Sequence, residues 1–247
     1  MTNDERANEF AADMALLQSL GVLPVVVHGG GPQINQMLER LEVKSEFVNG
    51  LRVTDEKVME VVEMVLCGSL NKKIASAINT AGGHAVGLSG KDDQLVRATP
   101  KNPDLGLVGV PGEVNAGLLA LLLEEGVIPV IAPVATGEDG ASYNVNADTM
   151  AGAIASALGA EQLLLLTDVT GVLDKNKELL PKLTSAAAQA LTEDGTATAG
   201  MIPKLGTAIE AVQGGVESAV IMDGRVPHCA LAHLFGSSAI GTSVSDA

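Results

Sequence analysis

Continuous apolar runs alternate with stretches of helical periodicity along the whole chain. The run Val22–His28 is rich in β-branched residues, which is typical of a strand buried on both faces, and Leu163–Thr167 is similarly apolar. Strands that alternate with helices predict a mainly parallel sheet with helices on both faces, an α/β three-layer αβα sandwich. The other predicted strands are His84–Leu88, Leu95–Ala98, Leu107–Val110, Val127–Ala132 and Glu217–Met222.

Capping and stop signals mark the helices between these runs. Thr2 and Glu5 have capping-box spacing, which predicts a helix that continues to about Leu20 and stops at Gly21. A second helix is predicted after Gly31, to about Leu41. The remaining predicted helices are Thr54–Leu66, Leu70–Ala81, Ala116–Glu125, Ala147–Leu158, Ser185–Glu193 and Met201–Gln213. The pattern predicts two lobes, 1–160 and 161–247.

Composition narrows the function classes. Of 247 residues, 47% are apolar, which excludes wholesale disorder. A net charge of −15, with only 3 Phe, 1 Tyr and no Trp, disfavours nucleic-acid binding. No apolar run is long enough for a membrane span, and no secretory signal is evident. Cys67 and Cys229 form no C-x-x-C motif, which fits a cytoplasmic protein without disulfides.

The segment Val25–Pro32 carries three glycines between a predicted strand and a predicted helix. Gly29, Gly30 and Gly31 let the backbone approach a ligand, and the helix N-terminus offers free N–H groups. This pattern is suited to a phosphate or a carboxylate, although it is neither a Walker motif nor a spaced dinucleotide fingerprint. The alternative is a plain strand-to-helix turn.

Two further segments place polar side chains near predicted helix starts. Arg52 is one of five arginines and precedes Thr54, the predicted helix cap. It could clamp a carboxylate through two hydrogen bonds or form a surface salt bridge. Asn144, Asn146 and Asp148 precede or begin the Ala-rich helix. Asn146 or Asp148 could simply cap that helix, or the two amides and the carboxylate could orient a polar substrate. From this segment alone, capping is the better interpretation.

Two segments of the last third suggest an anion site, whereas the histidines do not suggest a metal site. Thr167 and Asp168 end a buried strand, and ligands of doubly wound sheets bind outside such ends; a polar strand end is the alternative. Lys204 opposes the helix dipole in a first turn, which suggests an anionic partner unless the lysine is merely solvated. The four histidines form no metal set, and His28 is expected to be hydrogen-bonded locally at its strand end.

Taken together, these segments resemble the acetylglutamate kinase family of the amino acid kinase superfamily. The resemblance implies an amino acid kinase-like fold, with acyl amino acid binding and dimerisation in lobe 1–160 and ATP binding in lobe 161–247. It also implies ATP-dependent phosphorylation of the γ-carboxylate of N-acetyl-L-glutamate in arginine biosynthesis. The matching stretches, in family order, are VVVHGGGPQIN, FVNGLRVTD, VGLSGKD, IPVIAP, YNVNAD, LLLLTDVTGVLD, GMIPKL and DGRVPH.

The resemblance also implies residue roles. Gly29 and Gly30 would contact substrate and phosphates, Arg52 the α-carboxylate and Asn144 the acetylamino acid. Lys204 would stabilise the transferring phosphoryl group, and Asp148 would organise the catalytic lysines. ATP would contact Thr167, Asp168, Gly171, Val172, Leu173 and Thr196. No protein metal ligand is implied, because Mg²⁺ would be held through the nucleotide phosphates. The implied partners are a second copy in a homodimer and a PII-type regulator.

The sequence departs from the family pattern at two places. Members begin with a strand that ends in Lys-x-Gly-Gly, and none of the ten lysines here stands in that context. We hypothesise that the sequence lacks its natural first strand because its start is misplaced or truncated. The segment Phe235–Ala239 lacks the acidic pair of arginine-inhibited members, so the resemblance does not extend to feedback inhibition. Two alternatives stay open: a kinase for another acyl acid, such as carrier-bound aminoadipate, or a non-catalytic binding remnant.

Overall fold

The structure, a computed structural model, describes residues 4–48, 50–197, 200–236 and 240–246. The chain divides into two compact units, Met1–Met150 and Ala151–Ala247. The division falls inside α6 (Ala147–Leu158), whereas the sequence placed the lobe boundary just after this helix. The roles assigned to the two lobes remain predictions.

Parallel strands form the sheet of the first unit, in the order β1-β7-β4. These are β1 (Val26–Val27), β4 (Ala85–Ser89) and β7 (Ile128–Ala132). The predicted strand Val22–His28 is therefore much too long. Only Val26 and Val27 pair with β7, and no described strand pairs with the other side of β1. A strand exists only where a neighbour completes its ladder, which apolarity alone does not reveal.

Four helices and a π-helical segment accompany this sheet. The helices are α1 (Asp4–Ser19), α2 (Gly31–Arg40), α3 (Glu56–Glu63) and α4 (Asn71–Thr80). The expected cap at Thr2 lies outside the described residues. Residues predicted as two separate helices instead form one continuous run, because the π-helical segment Met64–Leu70 joins α3 to α4.

The predicted cap at Thr54 is wrong by one residue. Asp55 caps α3, because its Oδ1 accepts the Val58 N–H at 2.8 Å. Thr54 is buried, and its hydroxyl donates to the Arg52 carbonyl at 2.9 Å. Both residue types cap helices well, so the sequence could not distinguish two adjacent candidates.

A closed four-stranded barrel also belongs to the first unit, and the sequence predicted only half of it. The predicted short strands at 95–98 and 107–110 are confirmed as β5 (Val96–Pro100) and β6 (Val108–Val114). The barrel closes through β8 (Val134–Gly137) and β9 (Ser142–Val145). The remaining elements of this unit are the hairpin strands β2 (Phe47–Val48) and β3 (Leu51–Arg52), and helix α5 (Gly117–Glu124).

The second unit is built on a mixed sheet in the order β10-β12-β13-β11. Strands β10 (Gln162–Thr167) and β12 (Ser218–Asp223) are parallel neighbours, as predicted. The predicted helices are confirmed as α7 (Ser185–Glu193) and α8 (Ile202–Gln213). The sequence did not predict β11 (Lys182–Leu183), α9 (Cys229–Phe235) or β13 (Thr242–Val244), which are all short.

Each unit has its own apolar core. In the first unit, Val62, Leu66 and Val134 belong to one buried cluster. In the second unit, Leu165, Leu205 and Ile221 belong to another.

The strand pairing and the helices confirm the predicted α/β class. Within the described ranges, no helix is long and apolar enough to cross a membrane.

Candidate active site

A cavity of about 220 Å³ in the first unit brings together four residues that are far apart in the sequence. Gly29 and Gly30 follow β1, Arg52 ends β3, and Asn144 lies on β9. The sequence assigned all four to substrate binding. The other lining residues are Gly31, Ile34, Phe47, Gly50, Leu51, Leu66, Val108, Pro133, Val145, Asn146 and Ala147.

A larger cavity of about 660 Å³ lies in the second unit, beside α7 and α8. Its lining includes Gln189, Glu210 and Gln213, but none of the residues predicted from the sequence. Size alone therefore does not identify the site, and the smaller cavity is the candidate because its polar groups converge.

The glycine segment combines a helix start with a close packing contact. Gly30 is the N-cap residue of α2, and no acceptor among the described residues pairs with the N–H groups of Gly29 and Gly30. A Cβ on Gly30 would lie 2.5 Å from a Leu66 methyl group and 2.9 Å from a Leu70 methyl group. Gly30 therefore has a packing reason to be glycine, in addition to the ligand approach inferred from the sequence.

Arg52 is held in the cavity wall by neutral partners. Its side chain is buried, with a residue exposure of 6%, and it donates to Ser45 Oγ at 2.7 Å and to Asn35 Oδ1 at 2.5 Å. The guanidinium also lies 4.6 Å from the centre of the Phe47 ring. In the described part of the chain, no carboxylate forms an ion pair with Arg52. Burial lowers its pKa, but an arginine stays charged at neutral pH. These contacts favour the carboxylate clamp over the surface salt bridge.

Asn144 and the start of α6 form another part of the wall. Asn144 Nδ2 donates to Thr54 Oγ1 at 3.3 Å, which links β9 to the residue before the α3 cap. Asn146 caps α6, because its Oδ1 accepts the Thr149 N–H at 3.0 Å. Asp148 is the second residue of α6 and lies in its first turn. The capping interpretation therefore applies to Asn146 and not to Asp148.

In the second unit, polar residues meet at the carboxyl ends of two parallel strands. Thr167 of β10 is in register with Asp223 of β12, and the Gly224 N–H donates to the Thr167 carbonyl at 2.8 Å. Arg225 donates two hydrogen bonds to the Asp223 carboxylate, from Nε at 2.9 Å and from Nη2 at 2.8 Å. The exposed Asp168 follows Thr167. The sequence assigned no role to Asp223 or Arg225, although an acidic residue after a buried strand is a readable signal.

The other residues predicted to contact ATP lie in turns of the second unit. A Cβ on Gly171, which has φ +143°, would lie 2.7 Å from Thr242 Oγ1. The Val172 N–H donates to this hydroxyl at 2.8 Å, and Leu173 follows, partly exposed. The Thr196 hydroxyl donates to Asp194. Lys204 lies in the first turn of α8, half-buried. Asp148 and Lys204 belong to different units, and their pairing remains a prediction.

His28 lies one residue beyond the end of β1, directly before the glycine segment, and it is hydrogen-bonded locally, as predicted. Its Nδ1 lies 3.1 Å from the Gly29 carbonyl oxygen, and its Nε2 lies 3.2 Å from Asn71 Nδ2. Burial lowers the pKa of the imidazole below its ordinary value of 6.5. The hydrogen bond to the Gly29 carbonyl was expected from the sequence, whereas the contact with Asn71 of α4 was not.

We expect His28 to make the stability of the fold depend on pH. Below pH 6.5 the unfolded chain protonates this imidazole more readily than the folded chain, because burial lowers the folded-state pKa. Its contribution to the free energy of unfolding is therefore complete above pH 6.5 and declines as the pH falls below that value. Urea unfolding between about pH 5 and 7.5 should show a smaller decline in His28→Asn than in the parent.

The exposed His84 supplies the matched control, since His84→Asn should retain the parental decline. Burial also lowers the pKa of His233. This residue is present in every protein compared, so its effect on the pH dependence cancels. An equal decline in His28→Asn and the parent would contradict the assignment.

The resemblance implies that Arg52 clamps the α-carboxylate of acetylglutamate, and in that case we expect Arg52→Lys to weaken acetylglutamate binding by about 1.5–3 kcal/mol. Lysine keeps the charge but cannot form two parallel bonds to a carboxylate. Nucleotide affinity should hardly change. Calorimetric titration of each ligand measures both effects, with Arg97→Lys as the control at an exposed arginine. Unchanged acetylglutamate affinity would remove Arg52 from the binding site.

A cavity lined by glycine N–H groups and a buried arginine, together with polar strand ends, suits a protein that binds anionic ligands. The chain belongs to the amino acid kinase family, whose family model matches residues 1–223. It is similar to the acetylglutamate kinase of Rhodospirillum centenum, with 56% identity over 257 aligned positions that cover 99% of this chain and 84% of that protein.

Two solved structures are also similar. That of smu.665 from Streptococcus mutans has a TM-score of 0.81 and 32% identity, and the match covers 96% of this chain and 91% of that chain. That of N-acetylglutamate synthase from Neisseria gonorrhoeae, complexed with coenzyme A and N-acetyl-glutamate, has a TM-score of 0.87 and 26% identity. This match covers 98% of this chain but only 56% of the synthase.

Proposed function

We propose that the chain transfers the γ-phosphoryl group of ATP to the γ-carboxylate of N-acetyl-L-glutamate, a step of arginine biosynthesis. The observation that carries this proposal is the cavity in which the glycine segment, Arg52 and Asn144 converge. The similarity to an acetylglutamate kinase along 99% of the chain supports the same substrate.

The cavity offers a distinct group to each part of such a substrate. The α-carboxylate would pair with Arg52, which has no competing carboxylate in the described residues. The amide group would meet Asn144, and the γ-carboxylate would lie towards the N–H groups of Gly29 and Gly30. These N–H groups and the α2 N-terminus favour negative charge at that end.

The reaction itself needs positioning and charge neutralisation. An oxygen of the γ-carboxylate attacks the γ-phosphorus of ATP, a new O–P bond forms, and the O–P bond to ADP breaks with its electron pair leaving on ADP. No proton needs to move, so the protein has no need of a general base. Its tasks are to align two anions and to stabilise the charge that spreads over the transferring group.

On the nucleotide side, we propose the strand ends of the second unit. Thr167, Asp168, the turn Gly171–Leu173 and Thr196 would contact ATP, as ligands of parallel sheets lie beyond the carboxyl ends of the strands. Lys204 would stabilise the transferring group, with Asp148 orienting its ammonium. Mg²⁺ would neutralise phosphate charge when bound through the nucleotide.

A homodimer, a PII-type regulatory partner and a cytoplasmic location complete the proposal. The homodimer and the PII-type partner rest on the resemblance of the motifs to the acetylglutamate kinase family, and the cytoplasmic location rests on the cysteine pattern of the sequence.

The experiment is a screen of acyl acids in an assay of ADP release, paired with calorimetric binding. N-acetyl-L-glutamate should give the highest kcat/KM, ahead of glutamate, N-acetylaspartate and acylated aminoadipate. A preference for an aminoadipate derivative would favour the kinase for another acyl acid. Binding of acetylglutamate without ADP release would favour the non-catalytic remnant.

A further inference from the structure

His28 lies against the first peptide of the glycine segment. It is buried, with an exposure of 8%, and both ring nitrogens have partners: the Gly29 carbonyl oxygen on Nδ1 and Asn71 Nδ2 on Nε2. A carbonyl oxygen only accepts hydrogen bonds, so Nδ1 must carry the proton. An amide nitrogen only donates, so Nε2 carries no proton and accepts from the Asn71 amide. Burial, which lowers the pKa of the imidazole, favours this neutral ring.

Asn71, the first residue of α4, is hydrogen-bonded to two strands of the sheet, and these bonds fix its side chain beside His28. It is completely buried, and its Nδ2 donates to the Val130 carbonyl at 2.8 Å and to the Leu88 carbonyl at 3.1 Å. Its two hydrogens are thus shared among three acceptors. Reversing the amide would set Oδ1 against two carbonyl oxygens, so the Asn71 side chain can present only N–H groups to His28.

The bond from His28 fixes the direction of the peptide that joins Gly29 to Gly30. The two polar groups of a trans peptide point to opposite sides, and the described residues contain no cis peptide. With its carbonyl turned to the His28 ring, this peptide directs the Gly30 N–H away from the ring. A peptide between two glycines rotates more freely than any other, so it would otherwise adopt several directions.

We propose that His28 is a positioning residue that locks the Gly29–Gly30 peptide and so holds the Gly30 N–H in place for an anionic oxygen of the reactants. The inference rests on the proposed function to the extent that the anion belongs to acetylglutamate or to the transferring phosphoryl group. His28 itself touches neither reactant. It acts through the backbone of Gly29.

Two substitutions of His28 distinguish a residue that holds the direction of the Gly29–Gly30 peptide, which we call the lock, from a residue that only fills space. The amide nitrogen of asparagine lies close to the position of His Nδ1, so His28→Asn can still donate to the Gly29 carbonyl. The amide of glutamine lies close to the position of Nε2, so His28→Gln keeps the contact with Asn71 but loses the lock. We expect kcat to fall by about tenfold or more in His28→Gln, because a misdirected oxyanion donor is costly, and by less than about threefold in His28→Asn.

A packing role predicts the opposite order. Asparagine is smaller than glutamine and leaves the larger cavity, so His28→Asn should then lose more thermal stability and more activity. If activity followed the melting temperature in this way, His28 would be a packing residue and the proposal would be overturned. His84→Gln, at an exposed histidine, controls for the substitution itself.

Nuclear magnetic resonance tests the lock without relying on turnover. In protein with ¹⁵N-labelled glycine, acetylglutamate should shift the Gly30 amide signal of the parent and of His28→Asn, but much less that of His28→Gln. This result can be obtained even if the chain proves to bind acetylglutamate without phosphorylating it. Equal shifts in all three proteins would overturn the lock.

The unmodified protein gives a further check that needs no variant to fold. The ¹⁵N signals of the His28 ring should show a protonated Nδ1 and an unprotonated Nε2 at neutral pH. The reverse tautomer could neither donate to the Gly29 carbonyl nor accept from Asn71, and would refute the proposal.

Discussion

Lys204→Ala is expected to lower the turnover of phosphoryl transfer by about a hundredfold to a thousandfold, while acetylglutamate affinity changes little. The chain has 15 basic against 30 acidic residues and cannot spread the neutralisation of a triphosphate over many cations. A lysine in the first turn of α8 opposes the helix dipole, which is explicable if it faces an anion. Its charge matters most when charge develops in the transition state, so kcat should fall more than KM rises.

Single-turnover transfer measures this effect directly, and calorimetry measures acetylglutamate binding in the same variant. Lys182→Ala is the matched control, since Lys182 is an exposed lysine of the same unit. Equal kcat in Lys204→Ala and Lys182→Ala would remove Lys204 from the reaction.

Asp148→Asn is expected to lower turnover by about tenfold to a hundredfold, because one charge-assisted hydrogen bond contributes about 1.5–3 kcal/mol. The structure makes this a clean experiment, since Asn146 and not Asp148 caps α6. Asparagine is nearly isosteric with aspartate, so the melting temperature should stay close to that of the parent. The loss would then come from the missing negative charge, as expected if Asp148 orients a catalytic ammonium.

The control is Asp104→Asn, at an exposed aspartate of the first unit. A lower melting temperature together with unchanged kcat would show that Asp148 acts only on the stability of α6. A double variant adds a second criterion: if Asp148 acts through Lys204 as proposed, Lys204→Ala combined with Asp148→Asn should lose little more turnover than Lys204→Ala alone.

Long periodic elements were predictable from the sequence, whereas elements that depend on pairing were not. The bounds of α6 and α7 agree with the predicted ones, because apolar spacing and polar flanks define a helix locally. The strand at Val22–His28 was overpredicted, because pairing with β7 covers only two of its residues. Strands β8 and β9 were not predicted, because they are short and their apolar positions serve a barrel whose closure is not visible locally.

In the candidate site, too, features that depend on contacts between distant segments were not predictable from the sequence. Glycines after a buried strand predicted an anion site from local pattern alone, but the packing of Gly30 on Leu66 and Leu70 was not predictable, because it depends on the π-helical segment. Arg52 and Asn144 could be grouped only through the resemblance. The contact between His28 and Asn71 joins the residue after β1 to the first residue of α4, and no sequence pattern indicates it.

The most direct test of the central claim is a single-turnover reaction of the chain with MgATP and N-acetyl-L-glutamate, followed by ³¹P nuclear magnetic resonance. The account predicts an acyl phosphate signal that appears together with ADP, requires both reactants, and disappears when hydroxylamine traps the mixed anhydride. ADP that appears with inorganic phosphate alone, or no ADP despite calorimetric binding of acetylglutamate, would contradict it.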